Sequence, residues 1–161
     1  MILESKARDK NLRLDTRFEN ILEGESPRPG KASPMINSDG QRVQQVLLCL
    51  VSNALKFTKR GGITISIRVV RELDDQFLKV AVTDTGVGIP ACDQNKLFKL
   101  FGFIQNKNSV MNTNGIGLGL VIAKNIVKRF KGQISMTSIP APEPGHGSTF
   151  TFTFLITPKK A

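Results

Sequence analysis

The stretch N-G-I-G-L-G-L, from Asn114 to Leu120, places three glycines at alternate positions directly ahead of an apolar helical run. Glycine is the least favourable ordinary residue in a helix interior, so this clustering indicates a close approach to the backbone. The first turn of a helix leaves several backbone N–H groups unpaired, at the positive end of the helix dipole. Such a helix start can bind phosphate oxygens. Taken alone, the stretch is also compatible with a flexible hinge ahead of a packed helix.

The patterns on both sides of this stretch predict a mixture of helices and strands. Apolar periodicity predicts helices over residues 3–10, from the N-cap Asp39 to about Phe57, near 93–98, and over 117–130. Alternation of apolar and polar residues predicts strands over 11–18, 34–37, 63–70, 77–83, 133–138 and 148–156. This order predicts an α+β fold, a two-layer sandwich in which helices cover one face of a mixed, mainly antiparallel sheet. No long linker interrupts it, so we expect residues 1–161 to form a single domain.

The net charge of +10 is unevenly distributed along the 161 residues. Residues 94–142 contain no Asp or Glu but many Lys and Arg, which indicates either a solvated basic face or an electropositive rim around a polyphosphate. Nucleic acid is disfavoured, because Trp and Tyr are absent and the ten Phe mostly sit in apolar patterns rather than where they could stack on bases. No apolar run is long enough to span a membrane. Cys49 and Cys92 lack metal-ligand spacing, so we expect free thiols in a reducing cytosol.

The segment D-T-G-V-G-I, from Asp84 to Ile89, follows a strand that should be buried. A carboxylate at the end of a buried strand must be hydrogen-bonded, which fits an acceptor for a ligand amino group. Gly86 and Gly88 would allow a sharp turn and the approach of a flat group, although a simple β-turn explains them too. The segment also fits a dinucleotide-binding fingerprint, but the acidic residue expected about 20 positions later is missing.

A polar stripe is predicted on the first long helix. Gln45, Cys49, Asn53 and Lys56 are spaced so that they share one helical face. An Asn amide oxygen can bind Mg²⁺, and a nearby ammonium group can meet phosphate. A solvated surface stripe is the alternative interpretation. In the last motif, G-H-G-S-T-F from Gly145 to Phe150, the single histidine His146 is expected to be exposed rather than catalytic.

Taken together, five motifs resemble the catalytic ATP-binding domain of sensor histidine kinases. They are Q-V-L-L-C-L-V-S-N-A-L-K-F-T, D-T-G-V-G-I, L-F-K-L-F, N-G-I-G-L-G-L and G-H-G-S-T-F, in the order and spacing of that family. The resemblance extends over nearly the whole chain, from about Ser5 to Phe154. It implies the Bergerat fold, which is shared with gyrase, mismatch-repair and heat-shock chaperone ATPases, and it implies ATP and Mg²⁺ as cofactors.

The resemblance also implies a role for individual residues. Asn53 would bind Mg²⁺ and Lys56 would contact phosphate. Asp84 would accept the adenine amino group, with Thr149 close by through a water molecule. The other positions implied are the adenine pocket (Gly86, Gly88 and Ile89), the phosphate-binding segment (Gly115, Ile116, Gly117, Leu118, Gly119 and Leu120), and two rings, Phe98 and Phe101, that brace an ATP lid over residues 102–114.

One position departs from the family's pattern. The family usually has Asn where this chain has Cys49. A polar contact at the metal and phosphate end would therefore be missing, which could lower affinity or turnover.

In the family, the phosphate goes to a histidine on a separate two-helix dimerisation domain. No such hairpin precedes Asn11, so we expect the phosphoacceptor domain to be absent and residues 1–10 to be the end of a linker helix. The chain would then be part of a longer kinase, for which a hybrid type is one option, acting on a response-regulator receiver indirectly. We expect this part to be cytoplasmic, monomeric in isolation and without direct membrane contact, even if the whole sensor is membrane-bound.

Three function classes remain open at this stage. The first is a kinase domain that presents ATP to a histidine. The second is an ATPase like gyrase, in which a Glu on the first long helix activates water. Gln45 occupies the corresponding position here, and an amide cannot take a proton, which favours the kinase. The third is a pseudo-kinase that binds ATP only as a structural or regulatory ligand.

Overall fold

A computed structural model describes residues 2–19, 38–99 and 118–156 of the chain. Within these ranges the elements are α1 (Ile2–Asp9), β1 (Arg13–Phe18), α2 (Gly40–Phe57), β2 (Gly62–Glu72), β3 (Asp75–Asp84), α3 (Ala91–Gln94), α4 (Gly119–Arg129), β4 (Ile134–Ile139) and β5 (Gly147–Ile156). The strands form one sheet in the order β1-β2-β3-β5-β4. The β1 strand runs parallel to β2 and the other neighbours are antiparallel, so the predicted mixed, mainly antiparallel sheet is confirmed.

The core lies between one face of the sheet and the helices α2 and α4. Alternate residues of β3 and β5 point into it, and Phe152 and Phe154 are completely buried in edge-to-face contact with each other. Val46 and Leu50 of α2 meet them from the helical layer. Each fully buried side chain of this size stabilises the fold by roughly 1.5–3 kcal/mol. The residues that alternate with these core positions, such as Thr151, point to the opposite face of the sheet and are partly exposed.

The α2 helix begins and ends through specific contacts. Asp39 caps its start as predicted, since Oδ1 accepts a hydrogen bond from the backbone N–H of Arg42 at 3.2 Å. At its end, the Lys10 ammonium donates to the carbonyl of Leu55 at 2.7 Å. This contact satisfies a carbonyl that the last helical turn leaves free, and it ties the segment after α1 to α2.

Two helix predictions need correction, and one predicted strand and the predicted lid fall outside the described residues. The short helix near 93–98 lies instead at Ala91–Gln94, because the carbonyl of Pro90 accepts the first helical bonds, and turns follow it. The second long helix is Gly119–Arg129 rather than 117–130. The predicted strand over 34–37 and the predicted lid over 102–114 lie outside the described residues.

Candidate functional site

Asp84 ends the central strand β3 and is only 7% exposed. Its Oδ1 accepts the backbone N–H of Gly86 at 2.8 Å and that of Ser148 at 3.3 Å. Burial raises the pKa of the carboxyl above its ordinary value, and the two backbone hydrogen bonds lower it in part. Neither of these bonds uses Oδ2, which has no hydrogen-bond partner among the residues that the structure describes. One oxygen is thus anchored by the fold, and the other is left as an acceptor.

The two glycines after Asp84 make room for the protein's own backbone. A Cβ at Gly86 would lie 2.6 Å from the carbonyl oxygen of Phe57, which also accepts the N–H of Val87 at 3.3 Å. Gly88 has φ of +67°, and a Cβ there would overlap the carbonyl of Ile139. The predicted sharp turn is therefore present. Neighbouring chain segments are sufficient to exclude a side chain at both positions, and the role of the two glycines in shaping an adenine pocket stays a prediction.

The start of β5 brings Ser148, not Thr149, to Asp84. Ser148 is the direct partner of Asp84 in the β3–β5 register, and it is buried. Thr149 points to the other face of the sheet, where its hydroxyl lies 3.0 Å from that of Thr83. The prediction that Thr149 lies beside Asp84 is corrected accordingly. The G-S-T-F pattern contains two adjacent hydroxyls, and only the register decides which one faces the site.

A hydrogen-bond network joins this region to β4. Ser138 Oγ accepts the backbone N–H of Ile89 at 2.8 Å, donates to the carbonyl of Gly147 at 2.8 Å, and lies 2.9 Å from Ser148 Oγ. The Gln94 side chain donates to the carbonyl of Ile89 at 2.9 Å. No motif in the sequence pointed to Ser138. The alternation of β4 could have placed it on the core side of the sheet, but not beside this turn.

His146 is exposed, as predicted, and belongs to the same region. Its Nδ1 is hydrogen-bonded to the carbonyl oxygen of Gly86. Because that carbonyl can only accept, Nδ1 carries the proton in this contact. The histidine therefore holds the loop before β5 against the turn that follows Asp84.

The residues of the polar stripe on α2 differ in their solvent exposure. Gln45 and Lys56 are exposed, and Asn53 is half-buried. The Gln45 side-chain oxygen accepts from the Arg42 guanidinium at 2.8 Å, and the Lys56 ammonium lies 5.2 Å from the centre of the Phe57 ring. Asn53 and Lys56 both lie in the second half of α2, one turn apart.

The start of α4 meets α2 at Cys49. A Cβ at Gly119 would lie 3.0 Å from Cys49 Sγ, so the glycine allows the two helices to approach closely. Burial raises the pKa of the Cys49 thiol. The first hydrogen bond of α4 runs from the N–H of Ile122 to the carbonyl of Leu118 at 2.9 Å, which leaves the preceding N–H groups without an intrahelical partner. The side chain of Leu120 is buried in the core, so only its backbone could contact a ligand.

Phe98 packs edge-to-face against Phe150, with ring centres 6.4 Å apart, and the Lys124 ammonium lies 5.9 Å from the Phe98 ring centre. It is therefore anchored on the core beside α4. Phe101, Gly115, Ile116 and Gly117 of the predicted site lie outside the described residues.

The donors and acceptors of this site fit an adenine nucleotide. Asp84 Oδ2, which has no partner in the described part of the chain, suits an exocyclic amino group, and the start of α4 offers backbone N–H groups to phosphate. No cluster of three His, Cys, Asp or Glu side chains occurs in the described part of the chain. An Mg²⁺ ion held by one amide oxygen and the phosphates of the nucleotide does not require such a cluster, so Asn53 is a suitable single ligand.

Residues 38–158 match the family described as histidine kinase-, DNA gyrase B- and HSP90-like ATPase, and the chain belongs to this family. The family resemblance and the Bergerat-type α+β fold expected from the sequence are thereby confirmed. Among the described helices, none combines the length and the apolar character needed to cross a membrane.

The individual relatives include sensor histidine kinases. The chain is 36% identical over 153 residues to the non-motile and phage-resistance protein of Caulobacter vibrioides, covering 94% of this chain and 16% of that protein. It is 42% identical over 116 residues to the sensor histidine kinase RcsC of Escherichia coli, covering 72% of this chain and 11% of RcsC. The crystal structure of full-length ShkA in complex with AMPPNP matches 99% of this chain and 29% of that chain, with a TM-score of 0.74 and 24% identity. The chain thus spans less than a fifth of the curated relatives named here.

Proposed function

We propose that this chain is the ATP-binding catalytic domain of a two-component sensor histidine kinase. It presents Mg²⁺-ATP so that the γ-phosphate is transferred to a histidine on a separate dimerisation domain. The observation that carries the proposal is Asp84, a buried carboxylate with one oxygen anchored by two backbone N–H groups and the other without a described partner. ATP-binding family membership and the AMPPNP complex of ShkA support it.

At the adenine end, Asp84 Oδ2 accepts a hydrogen bond from the exocyclic amino group. The turn through Gly86 and Gly88, held by Phe57 and Ile139, keeps the carboxylate at the end of β3. Because the carboxylate is already positioned in the folded chain, binding the base requires little reorganisation.

At the phosphate end, the backbone N–H groups at the start of α4, which have no intrahelical partner, meet the phosphate oxygens together with Lys56. Asn53 is the proposed Mg²⁺ ligand, and an ion held there would supply positive charge that neutralises the phosphates. Gly115 and Gly117, which lie outside the described residues, complete the proposed phosphate site. Residues 102–114 are proposed as the ATP lid.

The sensor histidine kinase RcsC among the relatives favours transfer to a histidine over hydrolysis, and Gln45 is compatible with this choice. An ATPase of this family needs a group that takes a proton from water, and the amide of Gln45 cannot do so. Its side-chain oxygen is also engaged by Arg42 on the surface of α2. We therefore propose that the phosphoacceptor is a histidine of the dimerisation domain of the same kinase, and that a receiver domain is the downstream partner. On this proposal the domain acts in the cytoplasm.

The test is incubation with γ-labelled ATP, with the chain alone and with a separately produced helical hairpin that carries the acceptor histidine of the same kinase. The chain alone should bind ATP but release phosphate slowly and remain unlabelled. The hairpin should acquire acid-labile label, because transfer depends mainly on positioning and on charge neutralisation. An acceptor His→Ala hairpin is the matched control.

The other outcomes separate the alternatives. No binding of ATP at millimolar concentration would overturn the nucleotide site. Rapid phosphate release by the chain alone would establish an ATPase. Tight ATP binding without transfer to the hairpin would establish a nucleotide-binding pseudo-kinase, and Cys49→Asn would then test whether the missing amide is the cause.

A further inference from the structure

We propose that Ser138 is a positioning residue for base selection. Its contacts make the Ser148 hydroxyl a hydrogen-bond acceptor beside Asp84. The site therefore favours a purine with a 6-amino group over one with a 6-oxo group. The inference rests on the proposed nucleotide site and adds a residue on a different strand, β4, that decides which base is accepted.

Ser138 has a complete set of hydrogen bonds. A serine hydroxyl has one hydrogen to donate and two lone pairs to accept with. Ser138 Oγ accepts the N–H of Ile89 and lies within 2.8 Å of the carbonyl of Gly147 and 2.9 Å of Ser148 Oγ. Its carbonyl also lies 3.4 Å from the side-chain nitrogen of Gln94.

The direction of the bond between the two serines follows from these contacts. A carbonyl oxygen cannot donate, so the single hydrogen of Ser138 must point to Gly147. The hydrogen between the two hydroxyls must then come from Ser148. Ser138 is left with one donated and two accepted hydrogen bonds, which is its full capacity. Ser148 has spent its only hydrogen and retains lone pairs alone.

This arrangement gives the site two acceptors side by side. Ser148 is the register partner of Asp84, and its N–H is already bonded to Asp84 Oδ1. The groups still available are Asp84 Oδ2 and the lone pairs of Ser148 Oγ. A 6-amino group offers hydrogens to such acceptors, directly or through water. A 6-oxo group offers no hydrogen, and although the N1–H of such a purine can serve one acceptor, the acceptor that faces the oxo group stays unpaired, which costs binding free energy.

Without the Ser138 hydroxyl, the Ser148 hydroxyl could rotate and donate. It could then serve a 6-oxo group as well as a 6-amino group. Removal of Ser138 Oγ should therefore change the preference between bases, whereas general damage to the site would weaken both nucleotides together.

The experiment measures the dissociation constants of ATP and inosine triphosphate at saturating Mg²⁺, by displacement of a fluorescent ATP analogue. These two nucleotides differ only in the amino and oxo groups at position 6 and the proton at N1. In Ser138→Ala, the ratio of the inosine triphosphate constant to the ATP constant should fall about three- to tenfold. Ser138→Thr keeps a hydroxyl and should retain the ratio. Thr137→Val removes a hydroxyl from the adjacent, outward-facing position and should leave the ratio unchanged.

A double-variant cycle tests whether Ser138 acts through Ser148. Ser148→Ala removes the acceptor itself and should also lower the ratio. Adding Ser138→Ala to it should then produce no further change. The inference is overturned if Ser138→Ala leaves the ratio unchanged, or if the effects of the two substitutions multiply.

Two further results have defined meanings. Should Ser138→Ala fail to fold, Ser148→Ala decides the question, since an unchanged ratio in that variant refutes the acceptor role. If the unsubstituted chain binds neither nucleotide, the proposed function itself fails. If the chain binds ATP but Ser138→Ala leaves the ratio of the two dissociation constants unchanged, only the base-selection role of Ser138 is refuted.

Discussion

Asp84 and Ser148 face each other directly across strands β3 and β5, and the backbone N–H of Ser148 donates to Asp84 Oδ1 at 3.3 Å. A one-residue shift of this register would turn the core residues of β5 to the outer face, so packing of Phe150 and Phe152 fixes the pair. The acceptor in the candidate site is thus positioned by the hydrophobic core. Substitutions of the acceptor Asp84 therefore test nucleotide recognition, whereas substitutions of the core residues test folding.

Asp84→Asn should weaken ATP binding by about 1–3 kcal/mol without preventing folding. The amide oxygen can still accept from Gly86 and Ser148, but the amide NH₂ then replaces Oδ2 and meets the adenine amino group donor to donor. Calorimetric titration with ATP measures the change. Asp74→Asn, in the exposed β2–β3 turn, is the control. Full ATP affinity in Asp84→Asn would mean that Asp84 only shapes the turn.

The titration of Asp84 should make a distinctive contribution to the pH dependence of stability. Burial raises the pKa of its carboxyl above 3.8 in the folded state. The protonated form is thus favoured by folding, so the contribution of Asp84 to the unfolding free energy is fully present below about 3.8 and is lost as the pH rises through the folded-state pKa. The amide side chain in Asp84→Asn does not titrate, so this variant lacks the pH-dependent contribution.

Urea unfolding of the unsubstituted chain and of Asp84→Asn, from about pH 4 to about pH 7, measures this contribution to stability. The unsubstituted chain should lose stability relative to Asp84→Asn over the lower part of this range. A difference in unfolding free energy between the two proteins that is constant across this pH range would contradict a raised folded-state pKa of Asp84. Nucleotide binding should follow the opposite trend and strengthen as the carboxylate forms.

Gly88→Ala should destabilise the fold more than Gly145→Ala. Both glycines have positive φ, +67° and +77°, so both substitutions introduce backbone strain of about 1–2 kcal/mol. Only at Gly88 would the new Cβ also collide with backbone, at Ile139, whereas nothing lies within 4 Å at Gly145. We expect a difference of at least about 2 kcal/mol in the free energy of unfolding. Equal losses would show that the Gly88 turn can move away from β4.

The two thiols should react at clearly different rates. Cys92 is exposed on α3, whereas Cys49 is partly buried on α2 beside Gly119 of α4, and burial raises the pKa of its thiol. Because the thiolate is the reactive form, iodoacetamide should modify Cys92 at least about tenfold faster. Mass spectrometry over time, with Cys92→Ser as the matched variant, gives both rates. Comparable rates would indicate that the start of α4 separates readily from α2.

Local patterns in the sequence predicted much of the fold. Alternation in β2, β3 and β5 identified the central strands, and Asp39 correctly marked the start of α2. These features depend on neighbouring residues, through backbone capping and the two-residue period of strands, so they are readable without tertiary contacts. The same local logic identified Asp84 as a carboxylate that the fold must satisfy.

Contacts between distant segments decided the rest. The sequence by itself determined the α+β class, the family motifs and the position of Asp84 at a strand end. Only the tertiary structure decided that Ser148 rather than Thr149 faces Asp84, that Gly86 and Gly88 accommodate neighbouring backbone, and that Ser138 joins the site. The physical reason is that alternation assigns residues to two faces of each strand, whereas the register between strands depends on packing and hydrogen bonds across the whole sheet.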